Sequence, residues 1–156
     1  MTEIFPQLRE SKDITVTKYF ELVPGTSLEI NELVVLITLA RICKARNICE
    51  IGTFNGNTAL NLAVNIPESR IVTVDLPSNH KRDLPGIPSG DSNVTDREKV
   101  GKCFIGTEYE DKNIIQVYAN SFDLDWSSFK TTFDFVFIDG CHHPKYVKKD
   151  SENALA

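Results

Sequence analysis

The residues best suited to ligand chemistry form the run Glu50-Ile51-Gly52-Thr53-Phe54-Asn55-Gly56. Its two glycines follow a β-prone segment and precede a helical one, which places a tight turn between a strand and a helix. The first glycine would permit close approach of a ligand, and the second would let the helix begin near the sheet. Backbone amides left free at the start of that helix would point into the cleft. The run predicts a cofactor-binding turn, and a glycine-rich connection without a ligand is the alternative.

Polar residues also follow the next two predicted strands. Asp75 ends the apolar run 71–74, where a carboxylate can accept hydrogen bonds from both hydroxyls of a ribose. Asn120 and Ser121 come just after a strand predicted over 113–118, and their amide and hydroxyl groups could reach the edge of an adenine. Asn-Ser is equally an ordinary turn sequence, and an acidic residue can simply start a loop. Beside the glycine turn, however, the acidic residue indicates a nucleoside ligand.

A further reactive group follows the apolar run 133–138. Asp139 ends that run, and His142 and His143 come soon after it. Because ligands bind at the carboxyl ends of parallel strands, Asp139 is expected to face the same cleft as Asp75. An imidazole can take a proton from a hydroxyl near neutral pH, so Asp139 and His142 are the candidate catalytic residues. Two surface histidines at the start of a helix are the alternative interpretation.

The glycine spacing bears on which nucleotide could bind. A nicotinamide or flavin fingerprint needs Gly-x-Gly-x-x-Gly, whereas Phe54 stands at the intermediate position here. A nucleotide phosphate loop needs Gly-Lys followed by Ser or Thr, and the sequence has none. Neither a pyrophosphate nor a triphosphate is therefore favoured, although an NAD-type nucleoside-binding enzyme stays an alternative.

The elements that would position these residues alternate along the chain. The pattern predicts helices over 28–45, 57–66 and 143–156 and strands over 47–51, 71–75, 113–118 and 133–138. Such alternation predicts an α/β fold with a parallel sheet and right-handed crossovers. Ser27 is the predicted N-cap of the first helix. Residues 77–101 are rich in Pro, Gly, Ser, Asn and charge, which predicts a long mobile loop. The strand over 133–138 is apolar almost throughout and is expected to be buried on both faces.

Composition indicates one domain after an N-terminal extension, with residues 1–27 as the extension and residues 28–156 as the domain. The 17 basic residues are scattered among 22 acidic ones, and the net charge is −5, so nucleic-acid binding is not expected. The longest apolar stretch, 33–40, is too short to span a bilayer, and no secretory signal is evident. We therefore expect a cytoplasmic protein with a small-molecule partner and no membrane association.

The four cysteines are widely spaced and form no Cys-x-x-Cys pair. This spacing argues against a disulfide or zinc framework. Cys43 and Cys49 lie in apolar stretches, so we interpret them as reduced thiols in the core.

Several segments together resemble class I S-adenosylmethionine (SAM)-dependent methyltransferases. They are residues 20–30, 50–57, 74–77 and 137–140, followed by His142. The similarity is closest to the subgroup that includes small-molecule O-methyltransferases, methyltransferase family 24, and it extends from about residue 20 onward. It implies a Rossmann-like three-layer α/β/α sandwich with sheet order 3-2-1-4. It also implies SAM-dependent methylation of a small-molecule acceptor, on oxygen.

The resemblance assigns roles to individual residues. The cofactor-binding set would be Glu50, Gly52, Thr53, Asn55 and Gly56 for the methionine part, Asp75 for the ribose with Leu76 beside it, and Asn120 with Ser121 for the adenine. Many relatives have aspartate in place of Asn120, so the contact with the adenine amino group would rely on an amide oxygen. In metal-dependent relatives an aspartate at the place of Asp139 binds a divalent cation, which makes a Mg²⁺ site there a further expectation.

A full domain of this family has seven strands, whereas the sequence predicts four. We therefore expect the chain to be truncated, with Phe133, Phe135 and Phe137 along an exposed sheet edge or a poorly covered face. Such an edge favours a homodimer or another form of self-association. The chain would then bind the cofactor with little or no turnover, which is the alternative to an active methyltransferase.

Overall fold

The fold comes from a computed structural model that describes residues 15–17, 28–77 and 100–155. These residues form α1 (Ile30–Ile42), β1 (Asn47–Ile51), α2 (Asn57–Asn65), β2 (Arg70–Asp75), β3 (Ile114–Tyr118), a short 3₁₀ turn (Trp126–Ser128), β4 (Phe135–Ile138) and α3 (Pro144–Ala154). Each predicted helix and strand is therefore present with its expected type. Most of the predicted loop over 77–101 lies outside the described residues.

The four strands form one parallel sheet in the order β3-β2-β1-β4, which confirms the predicted topology. Its register places Glu50 of β1 between Thr73 of β2 and Phe137 of β4. Asp75, at the end of β2, pairs with Tyr118 at the end of β3. Because the strands are parallel, their carboxyl ends meet along one edge of the sheet. The candidate side chains that follow the strands are thereby gathered at that edge.

Helices lie on both faces of the sheet. Neighbouring residues of β1 point to opposite faces, and Ile48 belongs to a core shared with α1 and α2. Cys49 is fully buried on the other face. Burial, with smaller contributions from the nearby carboxyl groups of Glu50 and Asp150, raises the pKa of this thiol to about 12. Because Asp150 belongs to α3, the structure has the three layers expected of a Rossmann-like sandwich.

The first helix begins later than the sequence pattern suggested. Ser27 lies outside the described residues, and the N-cap of α1 is Glu29. Glu29 and Glu32 form a capping box, in which the backbone N–H of Glu29 donates to Oε2 of Glu32 at 2.9 Å. These bonds satisfy backbone donors that the helix itself cannot pair, and they fix its first turn at Ile30.

Two predictions of burial were wrong. β4 is only half-buried at each of its four residues, because among the described residues it has β1 as its only strand neighbour. Cys43 is exposed, because it is the C-cap of α1 and follows the last turn of the helix. All four cysteines are free thiols. Within the described parts of the chain, none of the helices has the length and apolar character needed to cross a membrane.

Candidate functional site

Gly52 follows β1 at the point where β4 ends beside it. Its φ of +103° lies in the region that favours glycine. A Cβ atom at this position would lie 2.2 Å from the backbone oxygen of Asp139 and 2.9 Å from the Cα of Gly140. The absence of a side chain at Gly52 therefore lets the ends of β1 and β4 approach closely.

The second glycine of the turn, Gly56, is the N-cap of α2 and has a φ of +79°. A Cβ atom here would lie 2.5 Å from the ring of Phe104. The segment that contains this phenylalanine pairs with the turn, since the N–H of Gly101 donates to the carbonyl of Phe54 at 2.8 Å and that of Cys103 to the carbonyl of Asn55 at 2.9 Å. Residues 100–104 thus lie against the glycine turn, a contact that the sequence reasoning missed.

Backbone amides of the turn donate hydrogen bonds within the protein, which was not expected. Three of its N–H groups donate within the protein: Gly52 to the carbonyl of Val74, Phe54 to Oδ2 of Asp75 and Gly56 to the carbonyl of Thr53, each at 2.8 Å. The prediction that free amides of the turn face the cleft is therefore wrong for these three groups. Their bonds instead fix the shape of the turn before any ligand arrives.

Asp75 is half-buried and holds the turn through its carboxylate. Oδ2 accepts from the N–H of Phe54 at 2.8 Å, and Oδ1 accepts from the N–H of Leu76 at 2.7 Å. A carboxylate can accept about four hydrogen bonds. Each oxygen of Asp75 therefore keeps capacity for a further donor, such as a ribose hydroxyl.

A chain of polar side chains runs beneath the turn. The hydroxyl of Thr73 donates to Oε2 of Glu50, and the hydroxyls of Thr53 and Thr73 lie 2.7 Å apart. Nε2 of Gln116, on β3, donates to the hydroxyl of Thr53 at 3.0 Å. This chain fixes Thr53 in the turn. Gln116 was not among the predicted residues, although a polar residue in the apolar strand Ile114–Tyr118 was a usable signal.

Three carboxyl groups converge at the ends of β1, β2 and β4. Glu50 is 1% exposed, and this burial raises its pKa to about 8. The hydrogen bond from Thr73 opposes the shift, while the negative charges of Asp139 and Asp75 add to it. Glu50 is therefore protonated below about pH 8, and a cation placed in the site would be attracted by the carboxylates of Asp75 and Asp139.

Asp139 and His142 lie together at this edge. Nε2 of His142 is 3.5 Å from Oδ1 of Asp139, and both side chains are largely accessible. Partial burial raises the pKa of Asp139, and His142 opposes that shift. His143 has a different task, because its Nδ1 accepts from the N–H of Lys145 at 3.3 Å and caps α3. His142 therefore lies in the site, whereas His143 caps α3.

The described residues hold no group of three or more His, Cys, Asp or Glu side chains placed to bind a metal ion. Asp139 has His142 beside it, and a pair of this kind supplies two ligands at most. The metal site at Asp139 stays a prediction.

The loop after β3 lies beside Asp75, whose carbonyl accepts from the N–H of Ala119 at 2.8 Å. The side chain of Asn120 closes its own turn: Nδ2 donates to Oδ2 of Asp123 at 2.8 Å, and Oδ1 accepts from the N–H of Phe122 at 3.2 Å. The carbonyl of Ser121 accepts from Nε1 of Trp126 at 3.2 Å. The contact of this loop with adenine also stays a prediction.

Two family profiles match this chain. The one described as "Methyltransferase domain" matches residues 49–156, and the one described as "O-methyltransferase" matches residues 2–84. Each covers more than half of the sequence. The chain belongs to these methyltransferase families. A comparison with curated protein sequences finds no match.

Solved structures share the methyltransferase fold. A proposed caffeoyl-CoA O-methyltransferase from Staphylococcus aureus aligns with a TM-score of 0.60 and 16% identity over 97% of this chain and 57% of its own. An O-methyltransferase from Bacillus cereus, in complex with S-adenosylhomocysteine (SAH), aligns with a TM-score of 0.53 and 20% identity over 84% of this chain and 55% of its own. An SAH-bound methyltransferase from Podospora anserina aligns with a TM-score of 0.53 and 20% identity over 83% of this chain and 50% of its own. The chain spans 50–57% of the length of these proteins.

Proposed function

We propose that this chain binds SAM at the carboxyl edge of its sheet and belongs to an enzyme that methylates an oxygen of a small molecule. One observation carries the proposal: the glycine turn and three carboxyl groups, those of Glu50, Asp75 and Asp139, meet at the ends of adjacent strands. The membership of the chain in methyltransferase families supports the same conclusion. The solved relatives with SAH bound add support for the cofactor.

The charge of the site distinguishes SAM from a dinucleotide. SAM carries a sulfonium and an ammonium group, and both gain from nearby carboxylates. A pyrophosphate is an anion and would be repelled by a carboxylate beside the glycine turn, such as that of Asp139. This repulsion and the glycine spacing argue against the NAD-type alternative. In this proposal Asp75 binds the ribose hydroxyls with its remaining acceptor capacity, and the backbone from Gly52 to Gly56 lies against the methionine part.

The chemistry needs few protein groups. When bound, SAM supplies a methyl group on a sulfonium, which leaves as a neutral thioether when an acceptor oxygen attacks the methyl carbon. The protein aligns the acceptor with that methyl group and removes the acceptor proton. In this proposal His142 takes the proton, and Asp139, 3.5 Å away, orients the imidazole and stabilises its charge.

The proposal also includes a divalent cation at Asp139, which would favour the ionised form of the acceptor hydroxyl. It requires ligands in addition to Asp139. Methyl transfer measured with Mg²⁺ and with EDTA tests it, because a metal-dependent enzyme loses activity on chelation.

We also propose that the edge of β4 pairs with a second copy of the chain. Phe135 and Phe137 are only half-buried, and self-association would cover them and satisfy backbone groups along the edge. Such a dimer would be cytoplasmic. The competing proposal is a cofactor-binding module without catalysis, and turnover separates the two.

Turnover is measured with methyl-labelled SAM and a panel of hydroxylated acceptors, by mass spectrometry of the products. Label transferred to an acceptor oxygen supports the enzyme. Binding of SAM without transfer to any acceptor supports the module, and transfer to nitrogen alone would contradict O-methylation.

A further inference from the structure

One face of α3 contacts the loop that follows β3. Tyr146, Asp150 and Asn153 lie four and three residues apart, a spacing that puts them on the same side of a helix. The loop they meet consists of residues 120–122 and includes Asn120 and Ser121, which are predicted to contact adenine. We call these three side chains the α3 stripe.

The stripe contacts each residue of the loop. The ring of Tyr146 lies 5.2 Å from that of Phe122, and Nδ2 of Asn153 donates to the carbonyl of Ser121 at 3.5 Å. Burial raises the pKa values of Tyr146 and Asp150, and the nearby side chains of Asn120 and Ser121, respectively, oppose these shifts. The stripe spans about two turns of α3 and lies against all three residues of the loop.

Asp150 is the member of the stripe whose burial is expected to destabilise the fold. It is only 1% exposed, and neither of its carboxylate oxygens has a hydrogen-bond partner within the described residues. Burial raises its pKa, and the hydroxyl of Ser121 opposes that shift. A buried carboxyl group with so little compensation destabilises a fold. An apolar residue would be expected here if packing were the sole requirement.

We propose that the α3 stripe, with Asp150 at its centre, positions the loop 120–122 for recognition of the adenine ring. Asp150 and Tyr146 are positioning residues in this proposal, which rests on the proposed function. Ser121 then links α3 to the loop, because its carbonyl accepts from Asn153 and its side chain lies near Asp150. Recognition of adenine is set by the arrangement of the loop as a whole.

The test compares two ligands that differ only at position 6 of the purine, SAH and S-inosylhomocysteine. Binding to the full chain is measured by isothermal titration for the wild type, Asp150→Leu, Asp150→Asn and Ser121→Ala. The matched control is Ser151→Ala, because the hydroxyl of Ser151 donates to the carbonyl of Val147 within α3. Thermal unfolding of each variant is recorded in parallel.

We expect the wild type to prefer SAH by about ten-fold or more, the value of one well-placed hydrogen bond. Asp150→Leu and Ser121→Ala should bring this preference close to one. Asp150→Asn should keep most of it, because the amide has nearly the same size as the carboxyl group and keeps an oxygen beside Ser121. Asp150→Leu should also unfold at the same temperature as the wild type or higher, which a merely structural role for the carboxyl group would not give.

If Asp150→Leu does not fold, Tyr146→Phe replaces it, since this change keeps the ring contact with Phe122 and removes the hydroxyl that lies near Asn120. An unchanged preference in the folded variants would overturn the proposal. Loss of preference in Ser151→Ala, or a wild type that does not distinguish the two ligands, would overturn it as well. Failure of the proposed function looks different, because the wild type would then bind neither ligand.

Discussion

The backbone N–H of Phe54 donates to Oδ2 of Asp75 at 2.8 Å, and this bond joins the glycine turn after β1 to the end of β2. The same carboxylate is the group proposed to bind the ribose. A single side chain therefore shapes one wall of the cleft and offers acceptors to the ligand. Substitutions at this position should affect both tasks.

Asp75→Ala should weaken SAH binding by about ten- to a hundred-fold, or roughly 1–3 kcal/mol, because it removes the ribose acceptors and the anchor of the turn. Asp75→Asn keeps one acceptor oxygen and should lose less. The control is Asp125→Ala, since Asp125 also accepts from a backbone N–H, that of Ser127, but in the 3₁₀ turn. Isothermal titration measures all three, and equal affinity for Asp75→Ala and the wild type would remove Asp75 from the site.

Gly52→Ala should destabilise the fold by more than about 3 kcal/mol, since its Cβ would overlap the backbone of Asp139. Gly106 is the matched control, because its φ is +79° but no atom lies within 4 Å of an added Cβ. Gly106→Ala should cost about 1 kcal/mol, the penalty of the left-handed conformation alone. Urea unfolding gives both values. Similar losses of stability for the two variants would show that the ends of β1 and β4 do not approach closely at Gly52.

Glu50 should make stability depend on pH. Its pKa in the folded protein, about 8, lies above the ordinary value of 4.5, so the folded state binds more protons between these pH values. The free energy of unfolding should then fall as pH rises through this window. Glu50→Gln should flatten the profile and be more stable than the wild type at pH 8, by roughly 1–3 kcal/mol.

Urea unfolding at pH 5, 6.5 and 8 measures this dependence, and Glu68→Gln serves as the control. Glu68 is exposed and pairs with Arg46 at 3.3 Å on the surface. Parallel profiles for the wild type and Glu50→Gln would mean that Glu50 is ionised in the folded protein throughout.

His142→Ala should lower methyl transfer by about a hundred-fold, the usual value of a general base, and leave SAH affinity within two-fold. The neighbouring variant His143→Ala should keep the rate and instead lower stability by about 1 kcal/mol, because it removes the cap of α3. Single-turnover rates and SAH titration separate these effects. If both variants transferred methyl as fast as the wild type, neither histidine would be the base.

The strand ends were predictable because two local signals coincide there. Apolar runs mark β1, β2 and β4, and each apolar run is followed by a glycine or a carboxylate. Parallel order then follows from the intervening helices, so the meeting of Gly52, Asp75 and Asp139 at one edge could be foreseen.

The contacts of the glycine turn with residues 100–104 could not be foreseen in the same way. They are made by the carbonyls of Phe54 and Asn55, and every residue has a carbonyl, so the pairing leaves no pattern in the sequence. The burial of Phe104 beside Gly56 depends on the path of the chain before residue 100, which no local pattern in the sequence specifies. The closed turn at Asn120 has a further cause, because an asparagine side chain bonds its own turn as readily as a ligand.

The central claim is that SAM binds at the acidic edge formed by the ends of β1, β2 and β4. The most direct measurement is isothermal titration of the purified chain with SAH, repeated in the presence of excess NAD. We expect saturable binding of one SAH per chain, unaffected by NAD and weakened in Asp75→Ala. A folded chain that gives no binding heat with SAH at any accessible concentration, or one from which NAD displaces it, would contradict the claim.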